Sequence, residues 1–185
     1  MADVSVTSTE PPVGAADPIK KSDGGQEPYW DLIELLFFAY RDFVGDPDEV
    51  LAKLGFGRAH HRVLHFVNRN PGIKVADLLD ILKITKQSLG RVLKQLIDEG
   101  YVVQRAGPHD RRQRLLYASE AGEALALRLA GLQTERISRV LAELGPDARE
   151  SARRFLAGMT DDPDHVLRQI NNADHAGPRG RESGS

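Results

Sequence analysis

Two short strand-like runs, YVVQRA at residues 101–106 and QRLLYA at residues 113–118, interrupt a chain whose other periodic segments are helical. β-Branched, aromatic and aliphatic residues dominate both runs, and the polar segment 107–112 separates them. The two runs are predicted to form a hairpin with a long tip that is rich in arginine. The sequence therefore predicts a fold that is mainly α, with one small β element.

The helix that precedes this hairpin is amphipathic. Thr85 is a good N-cap, apolar residues then recur at helical spacing, and Gly100 ends the helix. Another helix, about two turns long, is predicted over residues 75–82. Two short helices followed at once by a basic hairpin predict a winged helix-turn-helix. The polar face of the second helix carries Gln87, Arg91, Lys94 and Asp98, with Ser88 and Gln95 at its edge.

The first helical segment, YWDLIELLFFAYRDFV at residues 29–44, is apolar nearly all round. Such a helix has to be buried on more than one side. In a chain of 185 residues the expected second cover is a partner subunit, so the segment predicts a homodimer. A long helix is predicted after Ser119, another from Pro146 and a short one after Pro163.

The predicted organisation has five segments. The terminal ones are rich in Pro, Gly, Ser and Asp and are expected to be disordered. The segments are a disordered N-terminal tail (1–28), an N-terminal helix and linker (29–56), a winged helix-turn-helix domain (57–118), C-terminal helices (119–171) and a disordered C-terminal tail (172–185).

Positive charge is concentrated in the middle of a chain whose net charge is −2. Residues 58–114 hold twelve Lys and Arg against five Asp and Glu, a local charge of +7. An acidic molecule with one basic region is the arrangement expected of a protein that binds a polyanion at one site. A solvated basic face would give the same count.

Several functional classes are excluded by what the chain lacks. The absence of cysteine excludes disulfides, thiolate metal sites and thiol-based redox sensing. No apolar run is long enough to span a bilayer and the N-terminus is not a secretory signal, so we expect a cytoplasmic protein without a membrane partner. No glycine-rich phosphate loop, nucleophile elbow or HExxH motif is present, so no enzymatic activity and no cofactor are expected.

Three stretches in the centre of the chain resemble the MarR family of dimeric bacterial transcriptional regulators. They are ITKQSLGRVLKQLIDEGYV, the hairpin sequence HDRRQRLLYAS, and SEAG at the start of the long helix. The resemblance is strong from residue 57 to about 122 and extends by pattern alone from 29 to 159. It implies that residues 57–118 are a DNA-binding domain, flanked by an N-terminal dimerisation helix and linker (29–56) and by C-terminal dimerisation helices (119–171). It also implies that Asp110 helps to hold the hairpin as a DNA-binding wing and that Arg112 enters the minor groove.

The chemistry of DNA recognition assigns roles to the other polar residues of this region. Base edges in the major groove are read by Arg, Gln and Ser, so Gln87, Ser88 and Arg91 are expected to contact bases. Lys86 and Lys94 are expected to contact phosphates, and Arg111 and Arg114 are expected on the backbone beside the minor groove. Thr85, at the start of the same helix, is also predicted to belong to the DNA-binding site. The predicted partner is double-stranded DNA with a pseudo-palindromic site.

The resemblance also implies a ligand pocket between the dimerisation helices and the DNA-binding domain, often for small aromatic anions. The candidate lining residues are Trp30, Phe37, Tyr40, Arg41, His61 and His65; packing in the core or dimer interface is the alternative role for the aromatic ones. His60, His61 and His65 share one helix, and His61 and His65 are one turn apart, a spacing compatible with a metal. No carboxylate or cysteine lies nearby in sequence to complete a site, so no metal is predicted.

Two other functions remain compatible with these patterns. One is a winged-helix module whose basic face binds an acidic protein partner. The other is an enzyme with a DNA substrate, against which the lack of an acidic cluster near the basic face argues.

Overall fold

The computed structural model describes residues 27–108, 110 and 113–175. Over these residues the chain is mainly α with one small antiparallel sheet, so the predicted winged helix-turn-helix fold is confirmed. In the same residues no helix is long and apolar enough to cross a membrane. The elements in chain order are α1 (Trp30–Ala52), α2 (Arg58–Arg69), β1 (Ile73–Lys74), α3 (Val75–Leu82), α4 (Lys86–Asp98), β2 (Val102–Ala106), β3 (Arg114–Ala118), α5 (Glu120–Leu144), α6 (Ala148–Gly158) and α7 (Pro163–His175).

One hydrophobic core joins the end of α1, α2, α3, α4, the sheet and the first half of α5. Its side chains come from the apolar stripe of each helix, and burying one such side chain contributes about 1.5–3 kcal/mol. The stripes therefore determine which face of each helix remains outside. The fully buried members with the largest side chains are Leu51, Leu64, Leu78, Leu89, Leu96, Leu116 and Leu129.

The sheet has three strands in the order β1-β3-β2, whereas the sequence predicted only the hairpin of β2 and β3. β1 pairs antiparallel with β3, with Ile73 opposite Leu116. Gly72 adopts the left-handed region at φ +83° and donates its N–H to the carbonyl oxygen of Leu116 at 2.8 Å. A strand of two residues is too short to produce a recognisable sequence pattern.

α1 is longer than predicted, since it continues beyond Val44 through Pro47 to Ala52. Glycine and proline in GDP favour a helix end because proline lacks the N–H that an interior position donates. Here Val44, Pro47 and Leu51 are buried where α1 packs on α5 and α2, and this packing holds the helical path. The C-terminal part of α1 therefore belongs to the core, and its N-terminal part is exposed.

The C-terminal helices also differ from the prediction. α6 begins at Ala148, two residues after the predicted start at Pro146. α7 runs to His175 and so includes four residues of the predicted C-terminal tail. Ala173 is buried and Asp174 pairs with Arg69 of α2 at 2.5 Å, which explains why this segment is ordered. The rest of that tail, and residues 1–26 of the N-terminal tail, lie outside the described residues.

The junction between the hairpin and α5 is fixed by close backbone contacts. Ser119 caps α5 by accepting the N–H of Gly122 at 3.0 Å, and its hydroxyl donates to the carbonyl oxygen of Gly100 at 2.6 Å. A Cβ at position 122 would lie 2.0 Å from the carbonyl oxygen of Tyr101. Only glycine allows α5 to approach the chain this closely, which gives the SEAG sequence a structural reason.

Replacing Gly122 by alanine is therefore expected to destabilise the fold. The new methyl group meets backbone that cannot move aside freely, so the free energy of unfolding should fall by about 1–3 kcal/mol, the usual range for overpacking. Urea unfolding of the purified chain measures the change.

The matched control is Gly131→Ala on the same helix, where an added Cβ has nothing within 4 Å. That variant should be neutral or gain about 0.5–1 kcal/mol, because alanine is the better helix former. Equal stability of the two variants would contradict the close contact at Tyr101.

Candidate nucleic-acid interface

The start of α4 is organised by its own side chains. Thr85 is the N-cap, as predicted, and its Oγ1 accepts the backbone N–H of Ser88 at 3.2 Å. The Thr85 hydroxyl in turn donates to the Ser88 Oγ at 2.9 Å. The first turn is thus held in place, and the Ser88 hydroxyl keeps its own proton to donate.

The outer face of α4 brings together the five predicted contact residues of this helix. Leu89, Leu93 and Leu96 are buried on the inner face, and this burial directs the polar residues outward. Lys94 forms an i,i+4 ion pair with Asp98 at 2.5 Å, in which both side chains are more than half exposed. The exposed residues are Lys86, Gln87, Ser88, Arg91 and Lys94.

Arg62 of α2, which the sequence analysis did not single out, stabilises the turn before α4. Lys83 ends α3 in the left-handed region at φ 50°. Arg62 of α2 donates to the carbonyl oxygen of Leu82 at 2.9 Å and so satisfies a carbonyl at the end of α3. No local pattern reveals this contact, because the two residues are 20 positions apart.

The root of the wing is closed by backbone hydrogen bonds. Gly107 donates its N–H to Gln113 at 3.0 Å, and Gln113 donates to the carbonyl oxygen of Asp110 at 3.0 Å. A Cβ on Gly107 would lie 2.9 Å from that same oxygen, so glycine is required for the close approach. Asp110 is exposed. Arg111 and Arg112, which the sequence assigned to the wing, lie outside the described residues.

The strands of the wing present two further arginines. Arg114, a predicted contact residue, is exposed at the start of β3, opposite Ala106. Arg105 of β2 lies over the ring of Tyr117 with its guanidinium carbon 5.0 Å from the ring centre. This cation–π contact orients Arg105 on the outer face of the hairpin. The alternation of side chains along a strand would have identified Arg105 as a residue of this outer face.

The four pocket candidates of α1 are not enclosed within one chain. Trp30, Phe37 and Tyr40 are 63%, 69% and 54% exposed. Arg41 pairs with Asp42 at 2.8 Å and lies over the Phe38 ring at 5.1 Å from its centre. Any pocket formed by these residues therefore needs a further surface to cover them.

His65, by contrast, lines a cavity of about 830 Å³ between α2, β1, α3 and α7. His61 is half-buried on the same helix but does not line this cavity. Burial lowers the pKa of both histidines below the ordinary value, and His61 and Arg69 lower that of His65 further. Across the described part of the chain, no group of three or more His, Asp or Glu side chains is arranged to hold a metal.

Comparison with known proteins places this geometry in a family. A sequence model of the MarR family matches residues 54–113. The HTH-type transcriptional regulator PetP of Rhodobacter capsulatus is 46% identical over 129 residues, which cover 70% of this chain and 78% of that protein.

Solved structures share the fold at lower identity. The transcriptional regulator SlyA aligns with a TM-score of 0.57 and 16% identity, over 79% of this chain and 96% of that chain. The DNA complex of MepR from S. aureus aligns with a TM-score of 0.56 and 15% identity, over 72% of this chain and 97% of that chain.

The buried histidines predict a loss of stability at acidic pH. Because burial holds the pKa values of His61 and His65 below 6.5 in the folded chain, the unfolded chain takes up protons first as the pH falls. The two neutral histidines therefore leave the free energy of unfolding at its full value above about pH 6.5, and that free energy decreases once the pH drops below this value. Urea unfolding at about pH 8, 6.5 and 5.5 measures it.

The double variant His61→Gln/His65→Gln is the control, since it removes both titrating groups. Its stability should change less over the same pH range than that of the wild type. Two parallel profiles would mean that these histidines do not titrate abnormally.

Proposed function

The chain belongs to the MarR family, and from that premise we propose that it is a transcriptional regulator which binds a pseudo-palindromic double-stranded DNA operator as a homodimer. The observation that carries this proposal is the outer face of α4, where Gln87, Ser88 and Arg91 are exposed over a buried row of leucines. The major groove admits one helix, and side chains of these types read its base edges.

The remaining polar residues of the unit are proposed to contact the DNA backbone. Lys86 and Lys94 contact phosphates from α4, and Arg114 does so from β3. The Lys94–Asp98 pair does not prevent this, because an exposed ion pair contributes only about 0–1 kcal/mol and a phosphate can replace the carboxylate. Arg105 joins this set from the outer face of the hairpin, and Thr85 contributes as the N-cap.

The wing is proposed to reach the neighbouring minor groove. Arg112 inserts there, Arg111 contacts the backbone beside it, and Asp110 helps to hold the wing, as the family resemblance implies. The negative potential of a narrow minor groove attracts an inserted arginine. Support from the described residues comes from the backbone hydrogen bonds of Gly107 and Gln113, which hold the hairpin closed at the position where the arginine-rich segment begins.

The homodimer is supported by the surface of α1. Nine large hydrophobic side chains between Tyr29 and Tyr40 are each at least 41% exposed. An apolar surface of this extent marks a site of protein contact. A second copy of the chain covers it best, since a two-fold dimer also gives two copies of α4 for the two halves of an operator.

A small aromatic or anionic effector completes the proposal. Two sites support it: the cavity beside His65, and the surface of Trp30, Phe37, Tyr40 and Arg41 once a second copy covers α1. Such a ligand changes DNA affinity only to the extent that it binds one spacing of the two recognition helices more tightly than the other.

Arg91→Ala is expected to weaken operator binding by about thirtyfold or more, because each of the two protomers loses a contact to a base edge that contributes about 1–3 kcal/mol of discrimination. Binding to a scrambled duplex should change much less. The measurement is a DNA titration at several salt concentrations, using an operator that the wild-type chain selects from random-sequence DNA.

The matched control is Arg154→Ala, which removes the same charge from an exposed position on α6. Because α6 belongs to the predicted dimerisation helices, sedimentation first checks that this variant is dimeric, and it should then bind the operator like the wild type. An equal loss in both variants would assign the effect to net charge and contradict base reading by Arg91.

Phe37→Asp is expected to shift the chain from dimer to monomer. A charge at a side chain that is 69% exposed costs little in the monomer but is buried without a partner in the proposed interface. Analytical ultracentrifugation should give a dimer for the wild type and a dimer at least tenfold weaker for the variant. The control is Val103→Asp, which places the same charge at an exposed apolar position of β2 and should remain dimeric. A wild-type chain that sediments as a monomer would contradict the proposed dimer.

A further inference from the structure

The first turn of α2 contacts the middle of α4 through two side chains, His60 of α2 and Gln95 of α4. The His60 Nε2 lies 2.8 Å from the Gln95 Oε1, across 35 positions of sequence. Gln95 also donates from its Nε2 to the carbonyl oxygen of Gly55 at 3.4 Å. The middle of α4 is therefore joined to the segment where α1 ends.

The hydrogen bonds around His60 determine which ring nitrogen carries the proton. Gly57 donates its backbone N–H to the Nδ1 at 3.1 Å, so Nδ1 is the acceptor. The proton of the neutral ring is then on Nε2, which donates to the Gln95 Oε1. This orients the amide of Gln95 with its nitrogen toward Gly55, and all three bonds run in one consistent direction.

Aromatic contacts hold the His60 ring in this orientation. The ring stacks on Phe56 with centres 4.8 Å apart and planes 16° from parallel. Phe56 is buried, donates its N–H to the carbonyl oxygen of Leu51 in α1 at 2.9 Å and meets Tyr101 edge-on at 5.2 Å. The His60 ring thus lies on a fixed support between the end of α1 and Tyr101, the residue before β2.

Gln95 lies on the same stripe of α4 as two proposed base-reading residues. Arg91 is four positions before Gln95 and Ser88 three before Arg91, and positions with this spacing follow one another along one side of a helix. A tether at Gln95 therefore limits the rotation of that stripe about the helix axis. Gln95 is also committed to His60 and Gly55, so it is not free to contact DNA in this arrangement.

We infer that His60 is a positioning residue for operator recognition: through Gln95 it sets the rotation of α4, and thereby the placement of Arg91 and Ser88 against the bases. This inference depends on the proposed binding of DNA through α4. Phosphate contacts tolerate a small rotation better than base contacts, because a point charge is less directional than hydrogen bonds to a base edge. Loss of the tether should therefore reduce specificity more than overall attraction to DNA.

Two variants separate the two hydrogen bonds of His60. His60→Asn keeps an oxygen near the position of Nδ1, which can accept from Gly57, but does not reach Gln95. His60→Gln carries a nitrogen near the position of Nε2, which can donate to Gln95, but lacks the Nδ1 acceptor. Both variants lose the ring that stacks on Phe56, so each controls for the packing defect of the other.

The experiment measures, for wild type and both variants, binding to the selected operator and to a scrambled duplex, together with urea unfolding. His60→Asn should lower the ratio of operator to scrambled affinity by about tenfold, since one hydrogen bond is lost in each of two protomers. His60→Gln should keep that ratio within about twofold of the wild-type value, even if its free energy of unfolding falls as much as that of His60→Asn. Adding Gln95→Ala to His60→Asn should cause little further loss, because both changes remove the 2.8 Å bond and the second removes in addition only the long bond to Gly55 at 3.4 Å.

Three results would overturn the inference. A specificity ratio in His60→Asn equal to that of the wild type would mean that the tether does not position α4. Equal losses in both variants would assign the effect to packing on Phe56. A wild-type chain that does not bind DNA would refute the proposed function and this role with it, and that outcome is distinct because it appears before any variant is compared.

Discussion

The burial of one face of α4 is the constraint on which the rest of the site depends. Leu89, Leu93 and Leu96 are at most 6% exposed, and truncating one such leucine costs about 2–5 kcal/mol. Because these side chains cannot leave the core, the opposite face has to remain outside, and Gln87 and Arg91 lie on it. The same interaction that stabilises the domain therefore determines which residues are available to read DNA.

α1 has two different environments, and this division links the domain to its proposed partner. Its C-terminal part packs Leu51 into the core, whereas its N-terminal part exposes apolar side chains such as Phe37. In the proposed dimer the exposed part is covered by the second copy. His60, which contacts Gln95, stacks on Phe56, and Phe56 is hydrogen-bonded to Leu51 of α1, so α4 is linked to the end of the helix that is proposed to join the two protomers.

The parts of the fold that depend on local patterns were predictable from the sequence. The cap at Thr85, the leucine stripe of α4 and the hairpin all have sequence signals within a few residues, and the structure confirms them. β1 was missed because two residues carry no periodicity. The continuation of α1 past Pro47 was missed because tertiary packing overcomes the local preference of proline to end a helix.

The site was predictable in part. Its exposed residues on α4 follow from the helical wheel, but the residues that hold α4 do not. Arg62 reaches Leu82 and His60 reaches Gln95 across 20 and 35 positions, and only the folded chain brings these partners together. The pocket candidates on α1 were chosen for their chemistry, and one chain alone leaves Trp30 and Phe37 exposed. Their role stays a prediction that depends on the second copy.

The measurement that tests the central claim most directly is the sequence of the DNA that the wild-type chain selects from a random library. A dimer that reads one half-site with each α4 should enrich an inverted repeat whose half-site centres are about 10 base pairs apart, the spacing of one turn of DNA. Enrichment of a single unrepeated element, or no enrichment at low salt, would contradict the account of a two-fold regulator that reads DNA through α4.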